Sequence, residues 1–224
     1  LDPQCPSAPG DVGNGFTVEF PVRYDTVKDA SISRAVKMGD RSLLQPFMEG
    51  AKLLEAAGCG AIATSCGFLV MFQQELAAAV NIPVITSSLL QAPYVARMLG
   101  PDRKVGILTA RAASLGEKHF RGAGIEGLDV AVKGMDEYPE FTKAFISDEP
   151  FMDVDLVEDE MEAAARSLVE MEPRLGAVVL ECANMPPFAP VVRQVTGLPV
   201  HEVSTPISHT VGALLRRPFN RFYL

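Results

Sequence analysis

One segment occurs twice in the chain, and the spacing of its copies constrains the fold more than any other feature. Gly60-Ala-Ile-Ala-Thr-Ser-Cys66 and Gly176-Ala-Val-Val-Leu-Glu-Cys182 lie 116 residues apart. Seventeen residues past each cysteine stands a Pro-Val pair, Pro83-Val84 and Pro199-Val200, in the same 116-residue register. Each copy reads as a short apolar strand of the buried type, a cysteine, a helix and a second strand. Three landmarks in one register without net insertion point to a duplicated α/β unit. Strands that alternate with helices of this length imply parallel sheets with helices on both faces.

The rest of the chain fits that frame. Strands are expected at Gly60–Ser65, Pro83–Thr86, Lys104–Thr109, Leu128–Lys133, Gly176–Leu180 and Pro199–Val203. A further strand is expected at Phe16–Tyr24, on an edge because of Pro21. Helices are expected at Ser42–Ala57, Phe68–Val80, Leu89–Leu99, Ala112–Ala123, Val154–Met171, Pro187–Val195 and Ile207–Leu215, with Leu1–Asn14 a loop. The acids of Val154–Met171 concentrate in its first half, which suits the positive end of a helix dipole. The fold class is therefore α/β in two similar halves, each a parallel sheet flanked by helices, related by a pseudo-two-fold axis with the site between them. The first half takes residues 1–95 plus 204–224 and the second takes 96–203. The strand Lys104–Thr109 has no counterpart 116 residues earlier, so the first half is expected to lack its first strand, with Leu1-Asp2 as that strand's tail.

Composition narrows the function classes. Formal charge is −8, with no run of Lys or Arg, so a nucleic-acid footprint is absent. The most apolar stretch, Ala61–Val80, is broken by Thr64, Ser65, Gln73, Gln74 and Glu75, and no membrane span is expected. Four cysteines in 224 residues are too few for a disulfide scaffold. The start carries no basic segment followed by an apolar one. Free thiols in a cytoplasmic protein are the expectation. Neither phosphate-binding glycine pattern occurs, and no His/Cys/Asp spacing resembles a metal site, so no cofactor and no metal are expected.

Cys66 and Cys182 each fall between a strand's carboxyl end and the following helix, where ligands bind in open parallel sheets. Helix N-terminal N–H groups there stabilise a thiolate, so both are expected to titrate below the free value. Facing one cleft, one thiolate removes a proton from a carbon and the opposite thiol delivers one to its other face, inverting a stereocentre without a cofactor. Cys59 and Cys5 read as packing residues. Ser65, Gly67 and Asn184 flank the cysteines and are expected to present donors to a carboxylate, with Ala183 in the same loop. Thr109 ends a strand on the same side, and Asn14 lies in a Gly-Asp-Val-Gly-Asn loop. Ser87, Ser88, Ser204 and Thr205 read equally well as turn or capping residues. Arg23 is a possible carboxylate partner or a surface ion-pair member. His119 is placed on a solvent-facing helix with no role, His201 in a structural role, and His209 without one.

Thr64-Ser-Cys-Gly-Phe68, Leu180-Glu-Cys-Ala-Asn-Met-Pro-Pro-Phe-Ala189 and Lys104-Val-Gly-Ile-Leu-Thr-Ala110 resemble the aspartate/glutamate racemase superfamily over nearly the whole chain. That superfamily also holds hydantoin racemases, maleate isomerases and arylmalonate decarboxylases. The resemblance implies a pyridoxal-independent, metal-independent enzyme with one catalytic cysteine per half, Cys66 and Cys182. Amino-acid racemases of this group usually carry Thr and then His or Glu after the second cysteine, where this chain has Ala183 and Asn184. Glutamate racemases usually place Gly before it, where this chain has Glu181. These departures weaken the case for free aspartate or glutamate. Cys182-Ala183 with Met185 is closer to the hydantoin racemases, and Pro186-Pro187 to the isomerase branch. The expected activity is a racemase or epimerase of a small carboxylate-bearing compound of amino acid or hydantoin type, in a homodimer or higher homo-oligomer. The alternatives are an isomerase or decarboxylase using the same thiols, or a non-catalytic two-lobed binder of small acids.

Overall fold

The computed structural model describes Leu1 and residues 3–216. Two parallel sheets form the frame. The first pairs β1 (Ile62–Ala63) with β2 (Val84–Ile85). The second contains β3 (Lys104–Thr109), β4 (Val130–Gly134), β5 (Leu175–Leu180) and β6 (Val200–His201) in the order β4-β3-β5-β6. β1 with β2 and β5 with β6 occupy the equivalent positions that the 116-residue register demands.

The helices are α1 (Leu44–Ala56), α2 (Gln73–Ala78), α3 (Ala92–Met98), α4 (Glu117–Ala123), α5 (Pro139–Phe145), α6 (Val154–Met171), α7 (Ala189–Thr196) and α8 (Ser204–Leu214). Several begin with a 3₁₀ turn, at Arg41–Leu43, Gly67–Phe72, Ser88–Gln91 and Pro186–Phe188, and a π-helical turn covers Ser33–Met38. α6 spans the expected residues. Asp153 caps it by accepting from the Leu156 N–H at 3.2 Å, and Val157, Met161, Ala164, Ala165 and Leu168 form its buried stripe. Burying each large apolar side chain there contributes roughly 1.5–3 kcal/mol. α5 was not expected, because its seven residues are too short for a periodic signal.

Phe16–Tyr24 forms no strand, contrary to expectation. Pro21 removes a ladder donor, and among the described residues the segment joins no sheet. Phe16 is instead almost wholly exposed, and Tyr24 donates to the Val12 carbonyl at 2.9 Å. His119 is also displaced from its expected solvent face. It is buried in α4 with its ring edge-on to Phe68 at 5.1 Å, and its Nδ1 accepts from the Gly116 N–H. Burial, aided by Lys118, lowers its pKa to about 4, so the imidazole is neutral. α4 comes so close to the Gly67–Phe72 turn that a Cβ at Gly122 would overlap the Val70 carbonyl.

β1 is the contracted member of the repeat. Its equivalent β5 lies between β3 and β6, whereas β1 pairs only with β2 among the described residues. A cavity of about 530 Å³ runs along it, lined by Ile62, Ala63, Phe20, Arg23, and by Ile207 and Val211 of α8. α8 also packs against Gly60 through Leu214. Asp2 and residues 217–224 lie outside the described residues.

Candidate functional site

Both repeated cysteines stand one turn beyond a short parallel strand, and the polar groups of both halves converge on them. Cys66 is the N-cap of the Gly67–Phe72 turn and only 6% exposed. The N–H groups of Phe68 and Leu69 face its sulfur. Cys182 is half-buried and follows β5 by two residues. Its thiol donates to Asn184 Oδ1 at 3.5 Å. A charge on Cys66 acts on Cys182, so the two thiols share one electrostatic site.

Glu181 lies between them. It is 1% exposed. Its Oε2 accepts from Thr109 Oγ1 at 2.8 Å and from the Ala110 N–H at 3.3 Å. Its Oε1 has no hydrogen-bond partner. A Cβ on Gly67 would overlap both Oε1 and the Glu181 carbonyl oxygen, so the carboxyl rests directly on the residue after Cys66. Ser88 Oγ donates to the Leu180 carbonyl at 2.5 Å and closes the same junction between the halves.

A second carboxyl approaches from the N-terminal loop. Asp11, 3% exposed, accepts from Asn184 Nδ2 at 2.6 Å and from the Gly13 N–H at 2.6 Å. Asn184 thus joins the Cys182 thiol to the Asp11 carboxyl. Burial raises the Asp11 pKa against these two donors.

Contrary to the expectation from their helix-terminal position, the thiols do not titrate low. Burial and then the Glu181 carboxylate push Cys66 up to about 12, against the N–H groups of Phe68 and Leu69. Cys182 is raised well above its ordinary value by burial, Glu181, Cys66 and Asp11. A few N–H dipoles do not offset desolvation and a neighbouring carboxylate. No lysine or arginine side chain is among the largest influences on either thiol.

The other expected binding residues divide clearly. Ser65 is exposed beside Cys66 and lines the cavity along β1. Gly67 and Ala183 are buried in the two cysteine loops. Thr109 and Asn184 reach the site, but their polar atoms hold Glu181, Cys182 and Asp11. Asn14 turns inward on its own loop, donating to the Ser7 carbonyl and accepting from the Phe16 N–H. Ser87 caps the Leu89 N–H, and Ser204 and Thr205 bond Glu202. Arg23 and His209 are exposed and His201 is half-buried in β6. Asp11 escaped sequence reasoning because its partner Asn184 lies 173 residues away. Among the described residues no group of three or more His, Cys, Asp or Glu is placed to hold a metal, and no helix is long and apolar enough to cross a membrane.

The Asp/Glu/Hydantoin racemase family model matches residues 22–205. The chain belongs to this family. The racemase fold also appears in glutamate racemase isoform RacE1 of Bacillus anthracis, which superposes with a TM-score of 0.55 at 14% identity, covering 85% of this chain and 71% of that one. Among family relatives, a dimethylsulfoniopropionate lyase of Durusdinium sp. clade D is 32% identical over 202 residues, covering 87% of this chain and 66% of its own length. Dimethylsulfoniopropionate lyase 7 of Emiliania huxleyi (strain CCMP1516) is 28% identical over 229 residues, covering 97% of this chain and 66% of its own. The chain thus spans just under two thirds of the length of these relatives.

Glu181 gives the site a measurable signature. Burial raises its pKa from 4.5 to about 7, against the donors of Thr109 and Ala110. A carboxyl with a raised native pKa favours folding below its unfolded value, and that contribution is lost as pH rises through the native value. Relative to wild type, Glu181→Gln is therefore expected to gain about 3 kcal/mol of stability between pH 4.5 and 8. Urea unfolding midpoints across that range measure it, and a difference independent of pH would show that the carboxyl is not held protonated.

Proposed function

We propose that the protein is a lyase that cleaves dimethylsulfoniopropionate, or a close analogue with a cationic leaving group β to a carboxylate, by elimination. The sign of the charge around the two thiols carries this reading. The Glu181 carboxylate opposes ionisation of both cysteines, Asp11 and a Cys66 thiolate further oppose that of Cys182, and no lysine or arginine side chain is among the largest effects on either. An acidic amino acid, with two carboxylates and a net negative charge, would add to that repulsion. A sulfonium bound beside the carboxyls relieves it and favours a thiolate as the substrate arrives. Two relatives that span most of this chain carry the name of this activity.

Cys66 is the base in this reading, because two N–H groups favour its thiolate and one carboxylate opposes it, whereas Cys182 feels both Glu181 and Asp11. The thiolate takes a proton from the carbon next to the carboxylate. The C–H electrons form the carbon–carbon double bond, and the C–S bond breaks with its pair leaving on neutral dimethyl sulfide. Acrylate and the Cys66 thiol remain. The first step is the one a racemase makes, and the leaving group on the next carbon decides the outcome. Ser65, exposed beside Cys66, is available to the substrate carboxylate.

A second reading, a racemase or epimerase of a small carboxylate-bearing compound, is favoured by the equivalent placement of the two thiols. One experiment separates the two. Incubation with dimethylsulfoniopropionate in D₂O is expected to release dimethyl sulfide and acrylate, followed by headspace gas chromatography and proton NMR. Amino acids and hydantoins are expected to stay undeuterated. Deuteration of one of them without sulfide release would replace the lyase reading with the racemase one.

A further inference from the structure

We propose that Glu181 is a positioning residue that acts through both cysteines: its buried carboxyl holds the proton whose presence allows either thiol to ionise. The geometry supplies the reason. Oε2 receives two donors, from Thr109 and Ala110, and Oε1 receives none although it is sealed from water against Gly67. A buried carboxylate oxygen without a partner is costly, whereas the neutral acid needs no second set of donors. The proton therefore sits on Oε1, at the face that meets the Cys66 loop. Burial also moves the group's titration toward neutrality.

The consequence reaches both thiols. The Glu181 carboxylate is the largest charge effect on Cys66 and on Cys182. Negative charge on Glu181 and on a thiol are thus alternatives within one dry site. The other groups facing the cluster are few. Thr109 and Ala110 come from the end of β3, and Ser88 from the turn after β2, bonding the Leu180 and Glu181 carbonyls. Asp11 acts from the N-terminal loop on Cys182, and Asn184 joins the two. Glu181 stands one residue before Cys182, so β5 fixes it in the cysteine loop while its carboxyl rests on the loop of the other half.

The inference deepens the two-cysteine reading, and its test needs no substrate, so it stands or falls separately from the lyase assignment. Iodoacetamide alkylation of Cys66 and Cys182 is followed by peptide mass spectrometry from pH 5.5 to 9.5, with Cys59 as internal reference. Glu181→Gln keeps an oxygen for Thr109 and Ala110 but cannot ionise. It is expected to alkylate at least about tenfold faster than wild type at pH 8, equivalent to one unit in thiol pKa. The gap is expected to narrow below pH 6, where wild-type Glu181 is protonated. Thr109→Val, which removes a donor that favours the ionised carboxylate, is expected to move the profile the same way by a smaller amount. It keeps the test informative if the Gln variant misfolds. Superimposable profiles in folded variants and wild type would overturn the proposal, as would an acceleration that is the same at every pH.

Discussion

Cys66→Ala is expected to lower the rate of dimethyl sulfide release by about 10²–10⁴-fold, the range that a lost general acid or base produces. The loss should appear in kcat with a smaller change in KM, because the thiolate acts on the reacting carbon. Cys182→Ala is expected to lose much less, since an elimination needs one base and its product needs no proton delivered to the opposite face. The asymmetry is the informative quantity. A racemase must use both thiols and would lose activity equally in the two variants. Headspace sulfide measurements on both, with circular dichroism to verify the fold, are decisive. Unimpaired release by Cys66→Ala would remove Cys66 from the mechanism.

Gly67→Ala is the second large effect. No left-handed backbone is involved. The constraint is space, because the added methyl would occupy the position of Glu181 Oε1 and its carbonyl oxygen. The carbonyl cannot retreat freely, since Ser88 ties the end of β5 at Leu180. Overpacking of this kind costs about 1–3 kcal/mol. The strain is expected to separate the two cysteine loops, so activity should fall more than tenfold beyond what the stability loss explains. Urea midpoints and sulfide release together test this. An unchanged midpoint with unchanged activity would mean that Glu181 does not rest on Gly67 in solution.

Much of the frame was legible in the sequence because the signals were local or repeated. β3 and α6 were read at their residue limits, one from a continuous apolar run and the other from periodicity with acids at its start. The equivalence of Cys66 and Cys182 came from register alone. The failures share a cause, which is that they depend on what lies next to a segment in space. Phe16–Tyr24 has the residues of a strand but, among the described residues, joins no sheet. His119 has the look of a surface residue and is buried against Phe68. The thiols sit where helix dipoles favour ionisation, yet burial and a carboxyl supplied by the chain's own cysteine motif reverse the balance. Glu181 was visible only as a departure from the usual glycine, and Thr109 as a strand end. Their pairing across 72 residues required the fold.

The unequal sheets imply unequal persistence of the two halves. Cys182 hangs from a four-stranded sheet whose central strands β3 and β5 are held on both sides, whereas Cys66 follows a strand of two residues with one neighbour among the described residues and a cavity beside it. Local opening draws on the elements with the fewest buried contacts. Excursions that part the thiols therefore begin in the first half, while the second half stays intact as a template on which Cys66 is brought back against Glu181.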